Sequence, residues 1–166
     1  MPHRAYRLCF VCTGNICRSP MAEQVFRTML AEAGLDPLVS VDSAGTDGWH
    51  EGDAADPRTV AVLTGAGYGT EHSARQFHAS WFAELDLVIA LDSGHLRKLR
   101  ALAPTPEDAA KVRLLRSYDP CAGTDSDVPD PYYGGIGGFE TCLKMVVAGC
   151  EGLLAEVSGT VEGRAA

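Results

Sequence analysis

A cysteine and an arginine frame a short loop near the start of the chain, in the stretch Cys12-Thr13-Gly14-Asn15-Ile16-Cys17-Arg18-Ser19. A glycine and an asparagine inside the loop permit the tight turns that point successive backbone amides toward one centre. The guanidinium of Arg18 matches two oxygens of a phosphate. A thiolate at Cys12, beneath an anion held in this way, is placed to attack phosphorus. The spacing predicts a phosphate-binding loop with a nucleophile at its floor.

The segments on either side of the loop favour this interpretation. Residues Leu8 to Val11 form a continuous apolar run, which is typical of a strand buried on both faces. Ser19 and Pro20 are typical of an N-cap and a first helical position. A helix N-terminus attracts anions and favours the thiolate form of a nearby cysteine. The alternative is that Cys12 is a small buried hydrophobe whose spacing to an arginine is coincidental.

The rest of the chain alternates predicted strands and helices. Three further strands are predicted at Val39–Ser43, Leu85–Leu91 and Val112–Leu115. Helices are predicted at Ser19–Ala33, from Asp56 to Gly67, around Leu96–Leu102, and at Phe139–Val157. This alternation predicts an α/β fold, a single three-layer domain whose four-stranded parallel sheet has helices on both faces. We expect the domain to span residues 1–158 and residues 159–166 to form a frayed tail.

The position of the loop in this fold agrees with its predicted chemistry. Ligands of open parallel sheets bind at the carboxyl ends of the strands. Cys12 directly follows the first predicted strand, so the phosphate loop falls at that edge.

Composition excludes several function classes. The 166 residues are 46% hydrophobic and 22% charged, as in ordinary globular proteins, and the net charge of −8 argues against nucleic-acid binding. No apolar stretch is long enough to span a membrane, and the first residues lack a signal-peptide core. We therefore expect a cytoplasmic protein. The alternative is export by a route that needs no classical signal peptide. The six cysteines include one C-x2-C pair, Cys9 and Cys12, but no second pair follows it at a zinc-binding spacing, so no metal is expected.

Three motifs resemble those of the low-molecular-weight protein tyrosine phosphatases, in a bacterial-type form. Residues Cys12 to Pro20 are similar to that family's phosphate-binding loop. Asp42 to Thr46, with the sequence Asp-Ser-Ala-Gly-Thr, resembles its second-strand segment. Asp130 to Tyr133, with the sequence Asp-Pro-Tyr-Tyr, resembles its general-acid loop. The order and spacing match over residues 6–157, and the resemblance implies the same four-stranded fold.

The resemblance implies a mechanism and a substrate class. Cys12 attacks the phosphorus of a phosphotyrosine-containing protein and forms a phosphocysteine. Arg18 and the loop amides hold the phosphate oxygens, so no metal or cofactor is needed. Asp130 protonates the departing phenolate and then acts as base for the water that cleaves the intermediate. The remaining residues of the phosphate-binding loop are Thr13, Gly14, Asn15, Ile16, Cys17 and Ser19.

Supporting roles also come from the resemblance. The hydrogen-bond set that holds the strained loop consists of Asn15, Ser19 and Ser43. Ser19 also assists the thiol as leaving group. His72 has a structural role, in which it pairs with the acids Glu23 and Asp42.

The substrate entrance and two forms of regulation are expectations of the same kind. Trp49, Tyr132 and Tyr133 line the entrance and stack on the substrate ring. A reversible disulfide between Cys12 and Cys17 would protect the nucleophile from over-oxidation. A tyrosine kinase acting on Tyr132 or Tyr133 is a candidate partner, and the protein is expected to be a monomer.

Three other functions compete with this one. Arsenate reductases of the same fold carry a cysteine pair after the third strand, where this chain has Asp92 and Ser93. Protein-arginine phosphatases of the family carry threonine at the place of Ile16, whose apolar side chain favours a phenyl phosphate. An inactive phosphotyrosine-binding module is disfavoured, because the nucleophile, the arginine and the acid are all present.

Four glycines follow the acid motif, at Gly134, Gly135, Gly137 and Gly138. Because glycine loses the most backbone freedom on ordering, this composition predicts an unusually flexible loop. We expect the general-acid step, more than phosphate binding, to be sensitive to that flexibility.

Overall fold

A parallel sheet of four strands forms the centre of the fold. The computed structural model describes residues 4–165. The strands are β1 (Tyr6–Cys12), β2 (Val39–Gly45), β3 (Leu87–Ala90) and β4 (Val112–Leu114). Their order across the sheet is β2-β1-β3-β4, and all neighbours are parallel. The four predicted strands and the predicted sheet type are confirmed, although β3 is shorter than its apolar segment.

Helices connect the strands and cover both faces of the sheet. They are α1 (Arg18–Glu32), α2 (Pro57–Gly65), α3 (Ser93–Leu102), α4 (Pro106–Ala110) and α5 (Ile136–Ala165). Two 3₁₀ turns lie at Ala79–Ala83 and Leu115–Tyr118. None of the helices within residues 4–165 has the length and apolar character needed to cross a membrane.

Each face of the sheet has its own hydrophobic core, because alternate residues of β1 point to opposite sides. On one face, Phe10 meets Phe26 of α1 edge to face, with ring centroids 5.7 Å apart, and the apolar stripe of α5 joins the same cluster. On the other face, Cys9 and Val11 pack with Phe82 and other buried side chains. This confirms the three-layer arrangement, and it leaves the carboxyl end of β1 at an open edge.

The start of α1 differs from the prediction. The helix begins at Arg18 with Cys17 at the N-cap position, and no side chain caps it. Ser19 therefore lies inside the first turn, where its hydroxyl meets Cys12 instead of a helix amide. The predicted cap at α2 is present, because the side chain of Asp56 accepts a hydrogen bond from the Arg58 amide.

The chain's last helix is longer than predicted. α5 begins at Ile136 instead of Phe139, and it continues through the segment that we expected to form a frayed tail. The reason is that the apolar stripe does not stop at Val157, since Val161 is also buried against the core. The short helix α4 was not predicted. Its start is marked by a Thr105 cap followed by a proline, a pattern typical of helix N-termini.

Candidate active site

The phosphate-loop sequence lies between the central strand and the first helix. Cys12 is the last residue of β1, and α1 begins six residues later at Arg18. The carbonyls of Cys12 and Thr13 accept hydrogen bonds from the amides of Thr46 and Asp47, at 2.8 and 3.0 Å. The segment after β2 therefore fixes the start of the loop. The two predicted motifs, which are thirty residues apart in the sequence, meet at this edge of the sheet.

Cys12 sits at the floor of the loop, where two groups of Ser19 contact its sulfur. Its side chain is buried, and Sγ lies 2.9 Å from Oγ of Ser19. The Ser19 amide also donates to Sγ at 3.4 Å. The sulfur therefore lies at the N-terminal end of α1, within hydrogen-bond distance of the hydroxyl and the amide of Ser19.

Asn15 holds the loop in its tight shape. Its backbone has φ +59°, a left-handed conformation that only a few side chains adopt at low cost. The side-chain amide donates to Oγ of Ser19 at 2.8 Å and to Oγ of Ser43 at 2.9 Å. Its oxygen accepts from the Arg75 amide at 3.0 Å. These bonds offset the cost of the strained backbone.

The amides of the loop remain available for an anion. Among the backbone hydrogen bonds of residues 4–165, none uses the amide of Gly14, Asn15, Ile16 or Cys17 as donor. Since unpaired amides carry a cost when no ligand or water satisfies them, this arrangement is typical of an oxyanion cradle.

His72 lies behind the loop, but its expected partners differ. Its Nε2 bonds the Asn15 carbonyl at 2.6 Å. Glu23 instead accepts from Ser43 Oγ at 2.6 Å, and Asp42 pairs with Arg75 at 2.6 Å. The expected pairing of His72 with these two acids is therefore wrong. His72 bonds the Asn15 carbonyl instead, and Asp42 forms its ion pair with Arg75.

Arg18 points into the site from the first turn of α1. Its Nη1 donates to Asp92 Oδ2 at 2.8 Å and to the Val128 carbonyl at 2.9 Å. Burial alone would lower the pKa of Arg18, but the negative charges of Cys12, Asp92 and Asp130 outweigh it and raise that pKa. Arg18 is thus a fixed cation whose remaining donors face the loop.

Asp130 stands at the rim of the same site. Its Oδ2 is 3.8 Å from Arg18 Nη2, and 43% of its side chain is exposed. Its Oδ1 accepts from the Tyr132 amide at 3.0 Å. This places an exposed carboxyl close to the arginine in the lining of the same cavity.

These groups share one cavity of about 250 Å³. Cys12 and Arg18 form its floor, together with loop residues Thr13, Gly14, Ile16 and Cys17. Its walls and rim are formed by Trp49, His50, Asp130, Tyr132 and Tyr133. Trp49 and Tyr133 are 84% and 90% exposed, so these aromatic side chains lie at the solvent-facing mouth of the cavity. The volume and lining suit a phenyl ring that carries a phosphate.

Sequence reasoning missed two residues of the site, Asp92 and His95. Asp92 caps α3 by accepting from the His95 amide at 2.8 Å, and it also holds Arg18. His95 bonds Oγ1 of Thr13 through Nε2 at 2.8 Å. The available signal was the position of Asp92 just after β3, the strand beside β1.

Cys17 is buried next to the nucleophile but chemically unlike it. Burial and the nearby carboxylate of Asp56 raise the pKa of Cys17 to about 12. It is therefore a thiol at neutral pH, and all six cysteines are free in the structure. The disulfide with Cys12 stays a prediction.

We expect His95 to make the protein less stable in acid. Burial and the charge of Arg18 lower the pKa of His95 to about 4, whereas in an unfolded chain it is 6.5. Between these values the unfolded state binds a proton that the folded state does not, so stability falls as the pH falls from 6.5 to 4. The loss attributable to this group is about 3 kcal/mol. Urea unfolding at several pH values measures it.

The matched variants are His95→Asn and His78→Asn. The first removes the titrating ring and should flatten the acid slope of the unfolding free energy. The second removes an exposed histidine and should leave that slope as in the wild type. An unchanged slope in His95→Asn would contradict the assignment.

Comparison with known proteins agrees with this geometry. The sequence model of the family described as low molecular weight phosphotyrosine protein phosphatase matches residues 7–162. A low molecular weight protein-tyrosine-phosphatase from Streptomyces coelicolor is 71% identical over 162 residues, which cover 97% of this chain and 99% of that protein.

Solved structures show the same fold. A protein tyrosine phosphatase from Entamoeba histolytica is 33% identical, with a TM-score of 0.90, over 94% of this chain and 99% of that one. An arginine phosphatase from Drosophila is also 33% identical, with a TM-score of 0.83, over 90% of this chain and 96% of that one. With the family match and the close Streptomyces relative, these findings show that the chain belongs to the low molecular weight phosphotyrosine protein phosphatase family.

Proposed function

We propose that the protein hydrolyses phosphotyrosine in protein substrates through a phosphocysteine on Cys12. The observation that carries this proposal is the cavity itself, whose floor holds a buried thiol and a fixed guanidinium and whose rim holds a carboxyl. Loop amides and Arg18 surround the place where the phosphate oxygens would sit. Electrostatic stabilisation of this kind is the main source of catalysis in phosphoryl transfer.

In the first step, the Cys12 thiolate attacks phosphorus in line with the bond to the phenolic oxygen. The sulfur–phosphorus bond forms as the phosphorus–oxygen bond breaks. Tyrosinate is a poor leaving group, since the pKa of tyrosine is about 10, so a proton donor lowers the barrier. Asp130 supplies that proton from the rim, and tyrosine leaves.

In the second step, water hydrolyses the phosphocysteine. Asp130, now ionised, takes a proton from the water as its oxygen bonds to phosphorus. The sulfur–phosphorus bond breaks, and the Ser19 hydroxyl, 2.9 Å from Sγ, stabilises the departing thiolate. Inorganic phosphate leaves and the enzyme returns to its starting state.

The aromatic residues at the mouth support a phenyl leaving group. The rings of Tyr132 and Tyr133 meet edge to face at 5.0 Å, and Trp49 faces the same cavity. A substrate ring passing between such side chains gains stacking contacts that a short aliphatic side chain does not. We expect phosphoserine to be too short to reach Cys12 from this rim.

Two alternatives on the same fold make different demands on the chain. Arsenate reduction would need a relay of further thiols, but Asp92 and Ser93 stand where the relay pair would lie, and Cys142 and Cys150 are buried in the core with raised pKa values. Arginine phosphatase activity is a closer competitor, because a similar structure carries that name. Ile16, which lines the cavity, supports tyrosine instead, since it presents an apolar surface to the leaving group.

A paired substrate comparison tests this preference. We expect kcat/KM for a phosphotyrosine peptide to exceed that for the same peptide with phosphoarginine by about 10²-fold or more. Ile16→Thr should lower the ratio of kcat/KM for phosphotyrosine to kcat/KM for phosphoarginine, because the threonine hydroxyl puts a polar group where the isoleucine side chain is apolar. Ile16→Val keeps the apolar surface and serves as the control. Equal or reversed preference in the wild type would assign the protein to the arginine-specific branch.

Other expectations stay predictions. A tyrosine kinase partner is supported by the exposure of Tyr133, which offers its hydroxyl to solvent. The monomeric state and the cytoplasmic location also stay predictions.

A further inference from the structure

We propose that Arg58 is a positioning residue that holds the general-acid loop, and with it Asp130, in register with the phosphate loop. The proposal rests on the proposed function, because it gives Arg58 a role only through the acid. Arg58 does not line the active-site cavity. Its effect on the reaction therefore passes through the backbone that carries Asp130.

One side of the Arg58 side chain is fixed to its own helix. Nε and Nη2 each donate to the carboxylate of Asp56 at 3.0 Å, in a two-point fork. These bonds hold the pKa of Asp56 below its usual value, so the acid is ionised. The Asp56 side chain is 8% exposed and also caps α2. A guanidinium held in this way has little rotational freedom.

The other side of Arg58 reaches the acid loop at two points and the first turn of α5 at a third. Nη1 donates to the Gly134 carbonyl at 2.9 Å. The guanidinium carbon lies 5.5 Å from the ring centre of Tyr132 and 4.4 Å from that of Phe139. The contacts thus come two, four and nine residues after Asp130.

The part of the acid loop that follows Asp130, residues 131–135, makes few other hydrogen bonds. The bond from Arg58 joins residues 131–135 to α2. Among the described residues, no other hydrogen bond joins residues 131–135 to a segment outside the loop and α5. The loop's own bonds are the short turns that end at Gly134 and Gly138. Arg58 therefore fixes the glycine-containing part of the loop after Asp130, while Val128, two residues before Asp130, is held by the amide bond to Leu91 and by Arg18.

The same anchor connects to the phosphate loop. The Asp56 amide donates to the Ile16 carbonyl at 2.8 Å, so the partner of Arg58 is bonded to the nucleophile's own loop. Arg58 therefore joins the two loops that must stay aligned during proton transfer. Displacement of a catalytic group by about 1 Å can cost up to about 10²-fold in rate.

The test uses leaving groups of different acidity. In Arg58→Ala, we expect kcat/KM for phenyl phosphate to fall about tenfold and that for 4-nitrophenyl phosphate to fall no more than about twofold, since the second phenol needs less protonation. Inhibition by inorganic phosphate should stay within about twofold of the wild type, because the phosphate loop keeps its own bonds. Arg58→Lys keeps the charge but loses the fork, and should show a smaller loss of the same selectivity.

A double variant separates positioning from general stability. In an Asp130→Ala background, Arg58→Ala should cause no further loss in kcat/KM, because its effect acts through the missing acid. Arg113→Ala removes an exposed arginine from β4 and is the charge-matched control. If Arg58→Ala fails to fold, the lysine variant carries the same comparison.

Two results would overturn the proposal. One is an equal loss for both leaving groups, and the other is an undiminished loss in the Asp130→Ala background. Failure of the proposed function is distinguishable, since then the wild type would not hydrolyse either phenyl phosphate.

Discussion

Replacing Cys12 with serine is expected to lower kcat/KM for 4-nitrophenyl phosphate by about 10⁴-fold or more. The reason is chemical, since the serine hydroxyl stays protonated where the thiol ionises, and a neutral hydroxyl is a weak nucleophile toward phosphorus. The substitution is nearly isosteric, so Arg18 and the loop amides still bind phosphate. Steady-state turnover and inhibition by inorganic phosphate measure the two properties separately.

The control for this variant is Cys121→Ser. Cys121 is exposed and lies outside the active-site cavity, so the same change of atom should leave turnover as in the wild type. Turnover by Cys12→Ser within about tenfold of the wild type would mean that the nucleophile is elsewhere. Retained phosphate affinity with lost turnover is the combination that the structure requires.

Replacing Asp130 with alanine has the second largest expected effect. We expect kcat/KM for phenyl phosphate to fall about 10²- to 10³-fold, because Asp130 is the one carboxyl among the described residues that line the cavity. The loss should be smaller for 4-nitrophenyl phosphate, whose phenol leaves more readily without a proton. Comparing kcat/KM across a series of substituted phenyl phosphates measures this dependence.

The matched control is Asp36→Ala, which removes an exposed carboxylate before β2. It should leave both the rate and the dependence on leaving group unchanged. If Asp130→Ala loses activity equally for all leaving groups, the carboxyl holds the loop or the substrate and does not transfer a proton.

Local sequence patterns were enough to predict the nucleophile and the layout of the sheet. Continuous apolar runs mark the central strands β1 and β3, whereas β2 alternates apolar and polar residues. β1 ends at Cys12, where the buried central strand reaches the edge of the sheet. The residues of the phosphate loop are contiguous in the sequence, so the motif can be read directly, although distant residues such as Ser43 and Arg75 hold its shape. Asp130 depended on the family resemblance, since an Asp-Pro pair alone is typical of any turn.

The parts that could not be predicted depend on contacts between distant segments. Asp92 meets Arg18 across 74 positions, and Arg58 meets Gly134 across 76. Ser19 is a residue type typical of helix N-caps, yet its hydroxyl bonds Cys12, because the sulfur lies beside the first turn of α1. Composition also placed the end of α5 too early. The small and charged residues near the terminus suggested a frayed tail, whereas in the structure Val161 is buried and the helix continues.

The central claim is that catalysis passes through a covalent phosphocysteine at Cys12. The direct test mixes Asp130→Ala, in which hydrolysis of the intermediate is slowed, with 4-nitrophenyl phosphate and quenches the reaction in denaturant. Phosphorus NMR and peptide mass spectrometry of the denatured protein should then find phosphate on the sulfur of Cys12. Rapid turnover with no phosphate on the protein, or phosphate on another side chain, would contradict the account.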